Sequence, residues 1–177
     1  MKSLLTSRER ILLALDHKDT DRVPFSLGFG LTLPAKRDLQ KYMGMQSIEE
    51  LDNYLLSYSD LRWIGPEYCG PKTRNIVKTD GSSMDVWGVE RSVVGHYDEI
   101  SHYPLAKVQD ISELNNYLWP QASWANTNDI KRVLKEINKD EEYAIVVGNG
   151  NIFESSWYMR GMEQMMMDLI IEPELSW

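Results

Sequence analysis

The chain has 177 residues, 42% of them hydrophobic and 26% charged, and carries a formal net charge of −8. That length supports one domain with a real core, and the composition excludes disorder and low complexity. The acidic balance excludes non-specific nucleic-acid binding, and the single cysteine, Cys69, excludes an intrachain disulfide or a Cys-rich zinc site.

The N-terminus becomes charged at Arg8-Glu9-Arg10, too early for a signal peptide. No run approaches the ~18 apolar residues that span a bilayer. The expectation is a soluble cytoplasmic protein with no membrane or nucleic-acid partner.

Thr6 and Glu9 have capping-box spacing, which predicts a helix from Ser7 with Ile11, Leu12 and Leu15 as its apolar stripe. Its end is expected near His17-Lys18, where cations suit the negative end of the helix dipole. After the turn at Asp19-Thr20-Asp21-Arg22, residues 23–28 read as a first strand, with Pro24 near its start. Gly28-Phe29-Gly30 is a loop. Pro34 opens a helix that Gly44 closes, and Ser47 with Glu50 repeats the capping-box spacing. Residues 61–66 read as a second strand, ended by Gly65-Pro66.

Residues 67–105 differ in character. Turn signals at Tyr68-Cys69-Gly70-Pro71 and Thr79-Asp80-Gly81-Ser82 separate short β-like pieces at 75–78, 86–89 and 91–94. They predict a small antiparallel excursion. A helical region follows from Ile111, with Ser112 as its cap, and Trp119-Pro120 interrupts it. A second helix over 128–138 places Ile130, Val133, Leu134 and Ile137 at i, i+3, i+4 and i+7.

Tyr143-Ala144-Ile145-Val146-Val147 is a third strand. It is uncharged, ends in three β-branched residues, and reads as buried on both faces. Gly148 and Gly150 then permit backbone angles closed to other residues. One helix is expected to follow and to end before Pro173, with Tyr158, Met162, Met165, Met166 and Leu169 on one face. Strands alternating with helices predict an α/β chain with a parallel sheet and right-handed connections.

Several stretches resemble the uroporphyrinogen decarboxylase superfamily, nearest its branch of corrinoid-dependent methyltransferases and demethylases. Ser7-Arg8-Glu9-Arg10-Ile11-Leu12-Leu13-Ala14-Leu15-Asp16-His17-Lys18 with Asp21-Arg22-Val23-Pro24 is similar to the family's entry segment. Asp60-Leu61-Arg62-Trp63-Ile64-Gly65-Pro66 and Asp85-Val86-Trp87-Gly88-Val89 are similar to two further stretches. The third strand, with Trp157-Tyr158-Met159-Arg160-Gly161 and Met167-Asp168-Leu169, is similar to a fourth.

The resemblance implies a TIM-type (β/α)8 barrel, which typically needs about 250 residues. Residues 1–177 are then expected to be a single incomplete barrel domain. It would hold the first three βα units, with residues 67–105 as a β-rich insertion. The implied function is corrinoid-linked methyl transfer, from a methyl donor to a corrinoid protein or a thiol. Two alternatives stand beside it: a non-catalytic fragment that needs a partner chain, and decarboxylation of uroporphyrinogen in porphyrin biosynthesis. Against the last, no arginine follows the first strand until Arg37.

Zinc and a corrinoid partner are implied for a full-length relative, with no cofactor on this chain. Of its own donors, His96 and His102 lie six apart, which fits no common helical zinc motif; His17 and Cys69 complete the set. The implied partners are a small-molecule methyl donor or a tetrapyrrole or corrinoid protein, and a second copy through the open barrel edge.

Ligands in such folds sit at the C-terminal ends of strands. The substrate-pocket candidates are therefore Phe25, Gly28, Glu67, Gly148, Asn149, Gly150, Phe153, Trp157 and Arg160. Glu67 faces the barrel mouth or is a solvated loop acid. Gly148-Asn149-Gly150-Asn151 lacks the spacing and lysine of a P-loop and reads as a turn lining the mouth. Phe153, Trp157 and Arg160 share one helix face, where the aromatics line a pocket or pack the core. Arg160 pairs with Glu163 or Asp168, or sits in solvent. Met162, Met165, Met166 and Met167 read as adaptable core.

Overall fold

The computed structural model describes residues 5–28, 30–139, 142–148 and 151–172. In chain order its elements begin with α1 (Ser7–Leu15), α2 (Leu33–Tyr42), α3 (Ile48–Tyr58), β1 (Leu61–Ile64), β2 (Glu67–Tyr68), β3 (Ile76–Val77), β4 (Ser83–Met84), β5 (Glu90–Val94) and β6 (Tyr97–His102). Two 3-10 turns follow, Ile111–Asn116 and Ala122–Trp124, then β7 (Ala125–Asn126), α4 (Ile130–Ile137), β8 (Ala144–Val147), α5 (Ile152–Arg160) and α6 (Met162–Ile171). The chain divides into two compact units, one of Met1–Pro66 with Thr127–Gly148 and one of Glu67–Asn126 with Asn149–Trp177.

In the first unit, local chemistry sets the helix ends. The Thr6 hydroxyl accepts from the Glu9 N–H at 3.1 Å, and the Glu9 carboxylate accepts from the Thr6 N–H at 2.8 Å. This reciprocal box starts α1. The helix stops where expected, but its end is conformational. His17 adopts φ 55°, and Lys18 donates its N–H back to the Leu13 carbonyl. The Lys18 ammonium pairs with Asp16. Pro34 lies in the first turn of α2, and Gly44 follows its end at φ 66°. At α3 only half of the expected box forms. Ser47 accepts from the Glu50 N–H, while the Glu50 carboxylate turns to the Gln46 N–H.

Residues 23–28 form no strand, and Gly28 lies in a turn at φ 61°, which corrects the first-strand expectation. Pro24 has no N–H to donate. Phe25 makes one backbone bond, accepting at its carbonyl from the Asp60 N–H at 2.8 Å. The Asp60 carbonyl in turn accepts from the Ala144 N–H at 3.2 Å. From there β1 and β8 run parallel, in the register Leu61 to Ala144 through Ile64 to Val147. The Phe25 segment, β1 and β8 are thus linked in that order by backbone hydrogen bonds. The third strand is not buried on both faces as expected: no residue of β8 is fully buried, and Val147 is 64% exposed. β8 has one hydrogen-bonded neighbour, β1, so its uncharged sequence does not reflect burial here.

In the second unit, the antiparallel excursion is present as the sheet β3-β4-β5-β6. Its pieces differ from those expected. Residues 86–89 are a turn, because the Asp85 carboxylate accepts from the N–H groups of Trp87 and Val89 and satisfies them locally. Arg91 closes that turn with an ion pair to Asp85 at 2.8 Å. Glu67 lies on the two-residue strand β2, paired with β7, where it is exposed. The expected helical region is present as a 3-10 helix over Ile111–Asn116, but its cap is Asp110, which accepts from the Ser112 N–H, rather than Ser112. Gly161, at φ 89° and ψ 136°, splits the expected single C-terminal helix into α5 and α6.

Candidate functional site

Two ionic clusters, one in each unit, hold the buried charges. In the first unit, Asp60 is fully buried just before β1. Its Oδ1 accepts from Arg10 Nη1 at 2.5 Å and Arg22 Nη2 at 2.8 Å; its Oδ2 accepts from Arg22 Nη1 and the Phe25 N–H, both at 2.7 Å. Arg10 reaches on to Asp21, Nε to Oδ1 at 2.6 Å and Nη2 to Oδ2 at 2.9 Å. Two cations and two anions make the cluster neutral, as burial requires. Burial pushes the Asp60 carboxyl up, but bonds from Arg22, the Phe25 N–H, Ser7 and Arg10 outweigh it and hold it below the usual range. The Arg10 guanidinium is pushed up, chiefly by Asp21.

A carboxylate with four donors on it has no lone pair placed to take a proton from a substrate. The cluster is therefore a pin. It joins α1, the 21–25 segment and the start of β1.

The second unit repeats the device with Arg160. Its Nε and Nη2 donate to Asp168 at 2.6 and 3.3 Å, and its Nη1 donates to the carbonyls of Leu105 and Val108, each at 2.6 Å. Asp168 also accepts from Gln164 at 2.7 Å. Arg160 chiefly, and Gln164 after the opposing effect of burial, hold the Asp168 carboxyl below its usual range. Of the partners weighed for Arg160, Asp168 is the one present. With those donors engaged inside the unit, little of the guanidinium is left for an anionic ligand.

The pocket candidates fall into both units. Phe25, Gly28 and Gly148 belong to the first. Phe25 is 40% exposed and Gly28 adopts φ 61°. Gly148 is not among the residues with positive φ, which corrects the expectation for that position, and a Cβ there would meet nothing within 4 Å. Asn149 and Gly150 lie outside the described residues. Glu67, Phe153, Trp157 and Arg160 belong to the second unit. Phe153 is 49% exposed, and Trp157 lies edge-on to Tyr158 at 4.2 Å between ring centroids. Arg91 stands 5.2 Å over that Tyr158 ring.

In the first unit a cleft of about 920 Å³ opens between α1 and α4 over β8. Ile11, Leu12, Leu15, Leu134 and Val146 give it apolar walls, and Arg8, Lys135 and Lys139 are its cations. The stripe on α1 could have pointed to it, because Leu12 and Leu15 remain 54% and 73% exposed.

Among the described residues, no group of three or more His, Cys, Asp or Glu is placed to hold a metal ion. No helix among them is long and apolar enough to cross a membrane. Compared with known proteins, the chain matches no family model, no curated protein and no solved structure.

Proposed function

We propose that this chain supplies the opening βα units of a uroporphyrinogen-decarboxylase-like (β/α)8 barrel and serves corrinoid-linked methyl transfer as a wall of the site. The supporting observation is the series of backbone bonds from Phe25 through Asp60 to Ala144, which continues as the parallel pair β1–β8. A barrel of this kind begins with neighbouring parallel strands in chain order. The stretches that carry the resemblance also supply the pins: Arg10, Asp21, Arg22 and Asp60 in one cluster, Asp85 in its turn, and Arg160 with Asp168. The likeness thus falls on residues that build the fold. In this reading the groups that activate a thiol come from outside the described residues, from a partner chain or from further sequence. The exposed Phe153 offers an apolar surface to a flat ligand or methyl donor.

The test is a titration of the purified chain with methylcobalamin and, separately, with uroporphyrinogen, followed through the fluorescence of its six tryptophans. Saturable quenching by methylcobalamin that Phe153→Ala weakens is the expected result. Binding of uroporphyrinogen alone would replace methyl transfer with the decarboxylase reading. Binding of neither ligand would remove both.

A further inference from the structure

We propose that the chain self-associates by seating helix α6 of one copy in the α1–α4 cleft of another. The inference rests on two exposed apolar surfaces and on the charges of Lys135, Lys139, Glu163 and Glu172, and does not depend on the barrel reading. The cleft is walled from Arg8 to Leu15 along α1 and by Leu134 and Lys135 of α4 with Asn138 and Lys139 just past its end. Two helical walls over an apolar floor have the form in which proteins receive an amphipathic helix. Among the described residues, no carboxylate lines the cleft. The ion pairs on α4 are made by Arg132, with Asp129 and Glu136, and leave Lys135 facing the cleft. The preferred occupant is therefore apolar on one face and acidic beside it.

α6 has that character. Its sequence, Met162–Ile171, contains no Lys or Arg. Met162, Met166, Leu169 and Ile170 follow helical spacing and form one stripe, exposed by 43%, 49%, 43% and 84%. Glu163 lies beside the stripe, and the exposed Glu172 follows the helix. The opposite side holds Asp168, buried against Arg160. The helix is thus anchored in its own unit by one side and presents the apolar side outward. At 1.5 Å per residue, α6 is about 15 Å long and α1 about 14 Å, so groove and occupant match in length. The methionines let the stripe adapt to the leucine-rich wall.

Sedimentation equilibrium of the full chain from about 1 to about 100 µM tests this; association in that range corresponds to roughly micromolar affinity. The expected result is reversible association that weakens as salt is added. Lys135→Glu with Lys139→Glu weakens it about tenfold or more, and so does Glu163→Lys with Glu172→Lys. Mixing those two variants restores it, since each acidic cleft then meets a basic α6. Ile170→Glu abolishes association while leaving the circular dichroism spectrum unchanged, because that side chain is exposed. A chain that stays monomeric throughout overturns the proposal. So does association indifferent to these substitutions, or a mixture that fails to recover.

Discussion

Asp60 in the first unit and Asp168 in the second are both buried carboxylates held by arginine, and they differ in the span of chain they tie. Asp60 draws its arginines from positions 50 and 38 residues away. Asp168 takes Arg160 from eight residues away and Gln164 from the preceding turn of the same helix. The first pin closes long loops and depends on the fold being assembled. The second staples α5 to α6 across Gly161, and Arg160 adds two loop carbonyls. Loss of the long-range pin therefore leaves more buried charge without a partner than loss of the local one.

The largest expected effect follows. Asp60→Ala leaves Arg10 buried with one acid instead of two and removes the acceptor that holds Phe25. Breaking a buried pair in this way costs about 3–5 kcal/mol. In urea unfolding followed by circular dichroism, the midpoint should fall accordingly, and amide exchange should rise first at Phe25 and Ala144. Unchanged exchange at those amides would dismiss Asp60 as the pin. For Asp168→Asn the expected loss is smaller, about 2–3 kcal/mol, because Arg160 keeps the Leu105 and Val108 carbonyls as charge-assisted acceptors. An equal or larger loss would reverse the ranking.

Acid sharpens the same contrast. Both carboxyls are held below their ordinary value in the folded chain. Their contribution is therefore complete above the unfolded carboxyl value, about pH 4, and is lost as pH falls through the depressed folded values. The stability gap between the native chain and Asp60→Asn should be constant near neutrality and narrow in acid. A gap that stays constant through acid would mean that Asp60 does not titrate with unfolding.

The features readable from the sequence are those completed within three or four residues. The Thr6–Glu9 box, Pro34 and Gly44, and the Asp80-Gly81 turn need no distant partner, and all appear. Where a side chain competes for backbone donors, pattern misleads: residues 86–89 look β-forming, yet the Asp85 carboxylate folds them into a turn. β6 was missed because Tyr97–His102 is mostly polar and exposed, and it is a strand only because β5 pairs with it. The arginine cluster was unreadable for a different reason. Nothing local marks Arg10, on an otherwise surface-like helix, as 1% exposed. Of the pocket candidates, Arg160 has Asp168 among the partners its sequence spacing offers, but nothing local marks the Leu105 and Val108 carbonyls that absorb its remaining donors.

Gly161 tests whether the local staple depends on its hinge. The space there is open, since a Cβ would come no closer than 4.0 Å, to Tyr103. Gly161→Ala should therefore cost only the backbone strain of φ 89°, about 2 kcal/mol. Paired with Asp168→Asn, the losses should be less than additive, because once the hinge relaxes the Arg160–Asp168 pair is already weakened. Strict additivity in a double-mutant cycle would separate the hinge from the staple.

The smallest effect distinguishes the two helix starts in the first unit. Thr6→Ala and Ser47→Ala each remove one side-chain cap and should each cost about 1 kcal/mol. They differ in what remains. At α1 the Glu9 carboxylate still holds the Thr6 N–H, the bond that chiefly lowers its pKa. At α3 the Glu50 carboxylate holds the Gln46 N–H, one residue outside the cap. The reciprocal box should therefore fray with acid: exchange at the Thr6 amide should rise as pH falls through the depressed Glu9 value. Thr6→Ala should move that rise toward higher pH, because the hydroxyl that helps to hold Glu9 ionised is gone. A rise at the same pH in both proteins would show that Glu9 answers to the backbone alone, and that the box at α1 works as two separate caps.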